Sequence, residues 1–176
     1  MHRQGVVSDT ITKNALISAC EKGKQPGRAL ELFETMQRQG VVPNTITYNA
    51  LSSACEKGKQ PGRALELFET MQRQGVVPNT ITYNALISAC EKGKQPGRAL
   101  ELFEIVQRQG VAPDAITRRA FISACEKGER PGQALELFES MQRQGVVPNT
   151  ITYSALISAC DKGKQPGRAL DIFEDT

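Results

Sequence analysis

The sequence has almost none of the residues that build a metal or redox centre. It contains one histidine, His2, and five cysteines, none of them in a Cys-x-x-Cys pair. The cysteines fall at Cys20, Cys55, Cys90, Cys125 and Cys160, 35 residues apart. Equivalent positions on packed helices lie about 8–10 Å apart, beyond the ~7 Å reach of a disulfide. That spacing argues against both zinc ligation and cross-linking, and casts the thiols as small core residues. Their odd number and lack of pairing fit a reducing compartment. No run approaches the ~20 apolar residues of a membrane-spanning helix. The net charge of +3, from 22 basic and 19 acidic residues, does not by itself indicate a polyanionic partner. There is no His-x-Glu with Cys-x-x-Cys, no Walker loop and no carboxylate cluster, so neither catalysis nor a cofactor is expected.

What the sequence does have is repetition. The segment TITYNALISACEKGKQPGRALELFETMQRQGVVPN returns with a 35-residue period. Four full repeats occupy residues 10–44, 45–79, 80–114 and 115–149. Residues 1–9 align with the end of a repeat (MHRQGVVSD against MQRQGVVPN), and residues 150–176 begin another. These ends lead us to expect a piece of a longer array with no targeting segment in front. A fixed period of this size indicates a stacked solenoid rather than a single globule. Such an array buries only surface between neighbours, which suits the modest hydrophobic fraction of 39%.

One repeat reads as two helices. Asn44, Thr45 and Thr47 can each cap a helix over 45–57, and Gly58 is expected as its left-handed C′ residue. Pro61 suits the first turn of a second helix that runs to about Gln74 and is closed by Gly75 and Pro78. The second helix gathers Ala64, Leu65, Leu67, Phe68 and Met71 on one face; opposite, Glu69 and Arg73 are spaced for an i,i+4 ion pair. The first helix has a core face of Tyr48, Leu51 and Cys55, with Ala50 and Ala54 allowing close approach.

A second stripe of the first helix carries Ile46, Asn49, Ser53 and Lys57. Stacking turns such positions into rows. One row is aliphatic (Ile11, Ile46, Ile81, Ile116, Ile151). One is hydrogen-bonding (Asn14, Asn49, Asn84, Arg119, Ser154). One is cationic (Lys22, Lys57, Lys92, Lys127, Lys162). Single-stranded nucleic acid needs an apolar surface for the base face, a donor or acceptor for its edge, and positive charge for phosphate. The plainer alternative packs the isoleucines between repeats and uses asparagine for local capping.

The repeat resembles the pentatricopeptide repeat in its length, its Thr47-Tyr48-Asn49 opening, its Ala64–Met71 core pattern and its Gly75-x-x-Pro78 close. The related tetratricopeptide repeat is shorter, at about 34 residues, and its characteristic Trp and Leu-Gly pair are missing here. The resemblance implies an all-α fold: a right-handed superhelical solenoid of antiparallel helical hairpins whose first helices line a concave RNA groove. It implies one base per repeat, chosen by the fifth and last residues, with the second residue sandwiching neighbouring bases. The reading pairs are then Asn14 with Asn44, Asn49 with Asn79, and Asn84 with Asp114, which the family's code reads as cytidine, cytidine and uridine. Arg119 with Asn149 falls outside that code, and Ser154 lacks its partner. The lysine row is assigned to phosphate.

The expected partner is therefore single-stranded RNA of C/U-leaning sequence, in a mitochondrion or plastid. A peptide-binding scaffold that uses the same groove is the alternative, and the near-identity of the repeats would also suit a consensus-like scaffold. Open solenoid ends expose apolar faces, so self-association through Phe173 and the N-terminal repeat is a further expectation. Two departures bear on packing: Ser52 replaces the isoleucine found at positions 17, 87 and 157, which should loosen the core, and Lys13 replaces the tyrosine found at 48.

Overall fold

Proline, asparagine and aspartate set where α2 to α8 begin. A computed structural model describes residues 2–168 except 129, 144, 146 and 149, with side chains from residue 9 onwards. Among these residues there is no strand, and the helices are α1 (His2–Lys22), α2 (Pro26–Arg38), α3 (Thr45–Lys57), α4 (Pro61–Arg73), α5 (Thr80–Lys92), α6 (Pro96–Arg108), α7 (Ala115–Lys127), α8 (Pro131–Arg143) and α9 (Thr150–Lys162), with residues 166–168 helical again. The fold is all-α and built of helical hairpins. Phe173 lies outside the described residues.

Two compact bodies result, Met1–Gly93 and Lys94–Thr176. In the first, α3 packs between α1 and α5, with α2 and α4 alongside. In the second, α7 packs on α9, and α6 and α8 cover them.

Local chemistry explains the boundaries. Asn44 and Asn79 each cap the following helix, accepting the backbone N–H of Thr47 or Thr82, while the threonine hydroxyl accepts the cap's own N–H. This reciprocal box satisfies two otherwise orphaned donors. Pro61 opens α4 at a position where no N–H is needed. Gly75 ends it with φ 69°, and the following Val76 N–H reaches back to the Met71 carbonyl. That is the left-handed close expected of it.

Gly58 departs from expectation. Its φ is −82°, and the left-handed residue is Lys59, with φ 54°. The Lys59 and Gln60 N–H groups bond the Glu56 and Cys55 carbonyls at 3.0 and 2.9 Å, so the left-handed turn is made one residue late. Glycine is needed at 58 for another reason: a Cβ there would run into the Pro26 ring of the preceding hairpin. The same clash would occur between Gly93 and Pro61. Close approach thus claims the glycine, and a lysine takes the strained backbone, at about 1–2 kcal/mol.

Two more differences have simple causes. Arg73 donates to Thr70 Oγ1 at 3.0 Å rather than pairing with Glu69, because the nearer hydroxyl needs less side-chain ordering. Residues 2–9, although they match the end of a repeat in sequence, continue α1 without a break. Ser8 stands where Pro43 and Pro78 stand later, so the ring that forbids a helix is missing.

The core follows the expected faces. Tyr48, Leu51, Ala54 and Cys55 are fully buried, as are Ala64 and Met71, while Leu65 is half-buried. Phe33 meets Tyr48 edge-on at 5.5 Å, and Phe68 meets Tyr83 in the same way at 5.6 Å. The Tyr48 hydroxyl donates to Gln74 Oε1 at 2.9 Å, and burial pushes its pKa up to about 12. Burial likewise raises the Cys55 thiol to about 11 and the Cys125 thiol to about 12. Protonated, enclosed thiols of this kind are core residues, not nucleophiles.

Candidate nucleic-acid interface

Exposure separates the two readings of the isoleucine row. Ile11, Ile46 and Ile81 of the first body are 65%, 64% and 58% exposed, and Ile116 and Ile151 of the second are 51% and 57% exposed. They do not pack between repeats. Each stands on the outward stripe of a first helix, one turn before the asparagine position.

In the first body that position is part of a hydrogen-bonded ladder. Asn14 Nδ2 donates to Asn44 Oδ1 at 3.3 Å, and Thr47 Oγ1 donates to Asn14 Oδ1 at 2.6 Å. One repeat later Asn49 Nδ2 donates to Asn79 Oδ1 at 3.2 Å, and Thr82 Oγ1 donates to Asn49 Oδ1 at 2.6 Å. The structure therefore brings together Asn14 with Asn44 and Asn49 with Asn79. Asn84 belongs to the first body and Asp114 to the second. Asn44 and Asn79 are helix caps and ladder members at once: their Oδ1 is occupied and their Nδ2 is turned outward, with no partner among the described residues.

The second body keeps the stripe but changes its chemistry. Asp114 caps α7, its Oδ1 accepting the Ile116 and Thr117 N–H groups, each at 2.9 Å. Arg119 and Ser154 are exposed. A cleft of about 440 Å³ opens between Ile116 and Ile151, lined also by Arg118, Arg119 and Val147. It is of ligand size, with the two isoleucines as opposing apolar walls. Asn149 lies outside the described residues.

The lysine row is not a bare line of charge. Lys57 Nζ pairs with Glu21 Oε1 at 2.7 Å, Lys92 with Glu56 at 2.6 Å, and in the second body Lys162 with Glu126 at 2.8 Å. Ser53, Ser88 and Ser158 donate to the same carboxylate oxygens at 3.0, 3.0 and 2.8 Å. The hydrogen bond from Lys162 holds the Glu126 carboxyl below its ordinary pKa. Lys22 has no partner among the described residues, whereas Lys127 has one. At Lys57, Lys92 and Lys162 a phosphate must therefore compete with a carboxylate already in place.

The sequence profile of the PPR repeat family matches residues 8–57 and 120–162, and that of the pentatricopeptide repeat domain matches residues 53–94 and 66–128. The chain belongs to the pentatricopeptide repeat family. A third profile, the PPR repeat, covers residues 151–175. Comparison with curated proteins yields no significant match. Among solved structures, the maize pentatricopeptide repeat protein PPR10 in complex with an 18-nt psaJ RNA element superposes with a TM-score of 0.74 at 27% identity, over 95% of this chain and 24% of that one. This chain thus spans about a quarter of the PPR10 length. The PPR domain of Arabidopsis thaliana protein-only RNase P 1, in complex with tRNA, matches with a TM-score of 0.81 at 20% identity over 94% of this chain and 88% of that one. Nuclear RNase P 2 of the same plant gives 0.81 at 15% identity, over 95% and 38% of the two chains. These last two similarities establish the pentatricopeptide repeat fold alone.

Three features of the array were missed from sequence. Asn44, Thr45 and Thr47 all read as capping candidates, although the Asn-x-x-Thr spacing was a usable signal for the capping box. The acidic half of each ion pair sits one residue before the lysine, but it bonds the lysine of the next repeat, an offset no intra-helix rule reveals. Val42, Val77 and Val147, which no pattern in the repeat singled out, are 70%, 75% and 88% exposed.

Proposed function

We propose that the chain is a non-catalytic single-stranded RNA-binding module that reads one base per repeat. The observation that carries this is the pairing, on one outward stripe, of exposed isoleucines with asparagines whose N–H groups face out beside them. An apolar side chain on either side of a base, with amide donors at its edge, is what recognition of an unpaired base requires. PPR10, solved with an RNA element, supports the reading by kinship.

The base preference is C-C-U. Asn14 with Asn44 and Asn49 with Asn79 offer donors to the N3 and O2 acceptors of cytosine. Asp114, lacking the amide N–H, favours the N3–H of uracil at the Asn84 repeat. Arg119 adds attraction for phosphate rather than choice of base, and Ser154 extends the row. At roughly 1–3 kcal/mol per well-read base, three legible repeats give a short preference, not recognition of a unique transcript. The setting we propose is organellar RNA processing, stability or translation.

The test is a titration with C-C-U-containing and A-rich oligomers at two salt concentrations. Preferential, salt-weakened binding of the first is expected; equal and negligible binding of both would exclude the reading and favour a peptide-binding groove. Asn84→Ser should move the third preference towards a purine.

A further inference from the structure

The asparagine pairs have a polarity, and its source is a buried threonine. Thr47 and Thr82 are fully buried polar residues. Each hydroxyl accepts the backbone N–H of the cap, Asn44 or Asn79, at 3.1 Å. Its single proton then has two acceptors within reach: Asn14 Oδ1 at 2.6 Å or the cap's own Oδ1 at 3.1 Å for Thr47, and Asn49 Oδ1 at 2.6 Å or the cap's own at 3.2 Å for Thr82. The shorter contact takes the proton.

That choice fixes the asparagine amide. With Asn14 Oδ1 held by the Thr47 hydroxyl, its Nδ2 must face Asn44 Oδ1, as found at 3.3 Å. Flipping the amide would set two carbonyl oxygens against each other with no proton between them. The Asn44 amide cannot flip either, because its Oδ1 caps α3 through the Thr47 N–H at 3.1 Å. One buried hydroxyl and one backbone N–H of the same residue therefore orient both members of a pair, leaving the Asn44 Nδ2 group and the second hydrogen of Asn14 Nδ2 to face solvent. Thr82 does the same for Asn49 and Asn79.

We propose that Thr47 and Thr82 are positioning residues for base choice: they hold each asparagine pair as a donor edge and thereby make it select cytosine over uracil. This rests on the reading of the pairs as base readers. Neither threonine touches the base. An amide released from the hydroxyl can rotate, present its oxygen and accept the N3–H of uracil, so discrimination falls because uracil binding improves.

The experiment compares the whole chain with Thr82→Val and Thr82→Ser, titrated with C-C-U, C-U-U and U-C-U oligomers. In the unaltered chain, replacing either cytosine should weaken binding about tenfold. Thr82→Val should bring C-C-U and C-U-U to within about twofold while leaving the penalty for U-C-U intact, and Thr82→Ser should restore tenfold discrimination at both bases. Thr82→Ala serves in place of the valine variant if that one unfolds under the assay conditions. Undiminished discrimination at the second base in the valine or alanine variant would overturn the proposal. So would an equal loss of affinity for every oligomer, which would mark the hydroxyl as structural only. If the unaltered chain shows no preference for cytosine, it is the base-reading assignment that fails.

Discussion

Repeats 45–79 and 115–149 have helices of equal length and differ in what they present. In the first body Tyr48 is sealed against Phe33 and Asn49 joins the amide ladder. In the second body Arg118 and Arg119 stand at those two positions, and Phe121 replaces Leu51. Phe121 turns towards Phe103 at 4.0 Å and 32°, so a phenyl ring supplied from one turn further on helps to fill the space left by the lost tyrosine. Thr47 and Thr117, Ala54 and Ala124, and Cys55 and Cys125 remain buried in both. The difference teaches which positions serve the fold and which are available for chemistry. Threonine, alanine and cysteine hold the hairpin in each body, while the fourth and fifth positions change without altering helix length.

The largest effect expected from disturbing this comparison comes from the turn glycines. Gly93→Ala drives a methyl into the ring of Pro61, which is rigid and locked in the first turn of a helix. It should lower stability by about 1–3 kcal/mol. At Gly128 the nearest atoms to an added Cβ are the Ala124 carbonyl at 3.1 Å and Pro96 Cβ at 3.3 Å, so Gly128→Ala should be the milder change. Urea unfolding followed by circular dichroism ranks the two, and equal midpoints would show that the turns are not packed differently.

Next in size is Arg119→Asn, which makes the divergent repeat like its neighbours on the stripe. With Asn149 as partner it should gain discrimination for cytosine at that base of about tenfold and lose part of the salt dependence of binding. Titration against oligomers varied at the fourth base measures both. The smallest change is Ser52→Ile. Ser52 is buried in the first body where Ile122 is buried in the second, and Ile17 and Ile87 flank it in neighbouring repeats. Filling that position should raise stability by about 1 kcal/mol, seen as an increase in Tm with RNA binding unchanged.

Much of this could be read in the sequence because the fold is local. Helix limits near 45–57 and 61–74 follow from an asparagine cap, two prolines and a glycine close, all within one repeat length of chain. The buried faces follow from helical spacing. What escaped is what passes between repeats. Gly58 was assigned the left-handed turn because nothing within its own repeat shows the Pro26 ring lying against it. The lysine row was read as free charge because the carboxylates that engage it sit on the preceding first helix. The asparagine row was legible as chemistry, but its polarity depends on a threonine hydroxyl whose partner belongs to the repeat before.

The ion pairs along the first helices have one more consequence. Glu56 and Lys57 are adjacent, yet the lysine clasps backwards to Glu21 and the glutamate forwards to Lys92. The 45–79 copy of the motif thus carries one half of the clasp it shares with its predecessor and one half of the clasp it shares with its successor. Duplicating or deleting a repeat therefore leaves no charge stranded at the junction, and a gene can lengthen or shorten such an array without inventing a new contact.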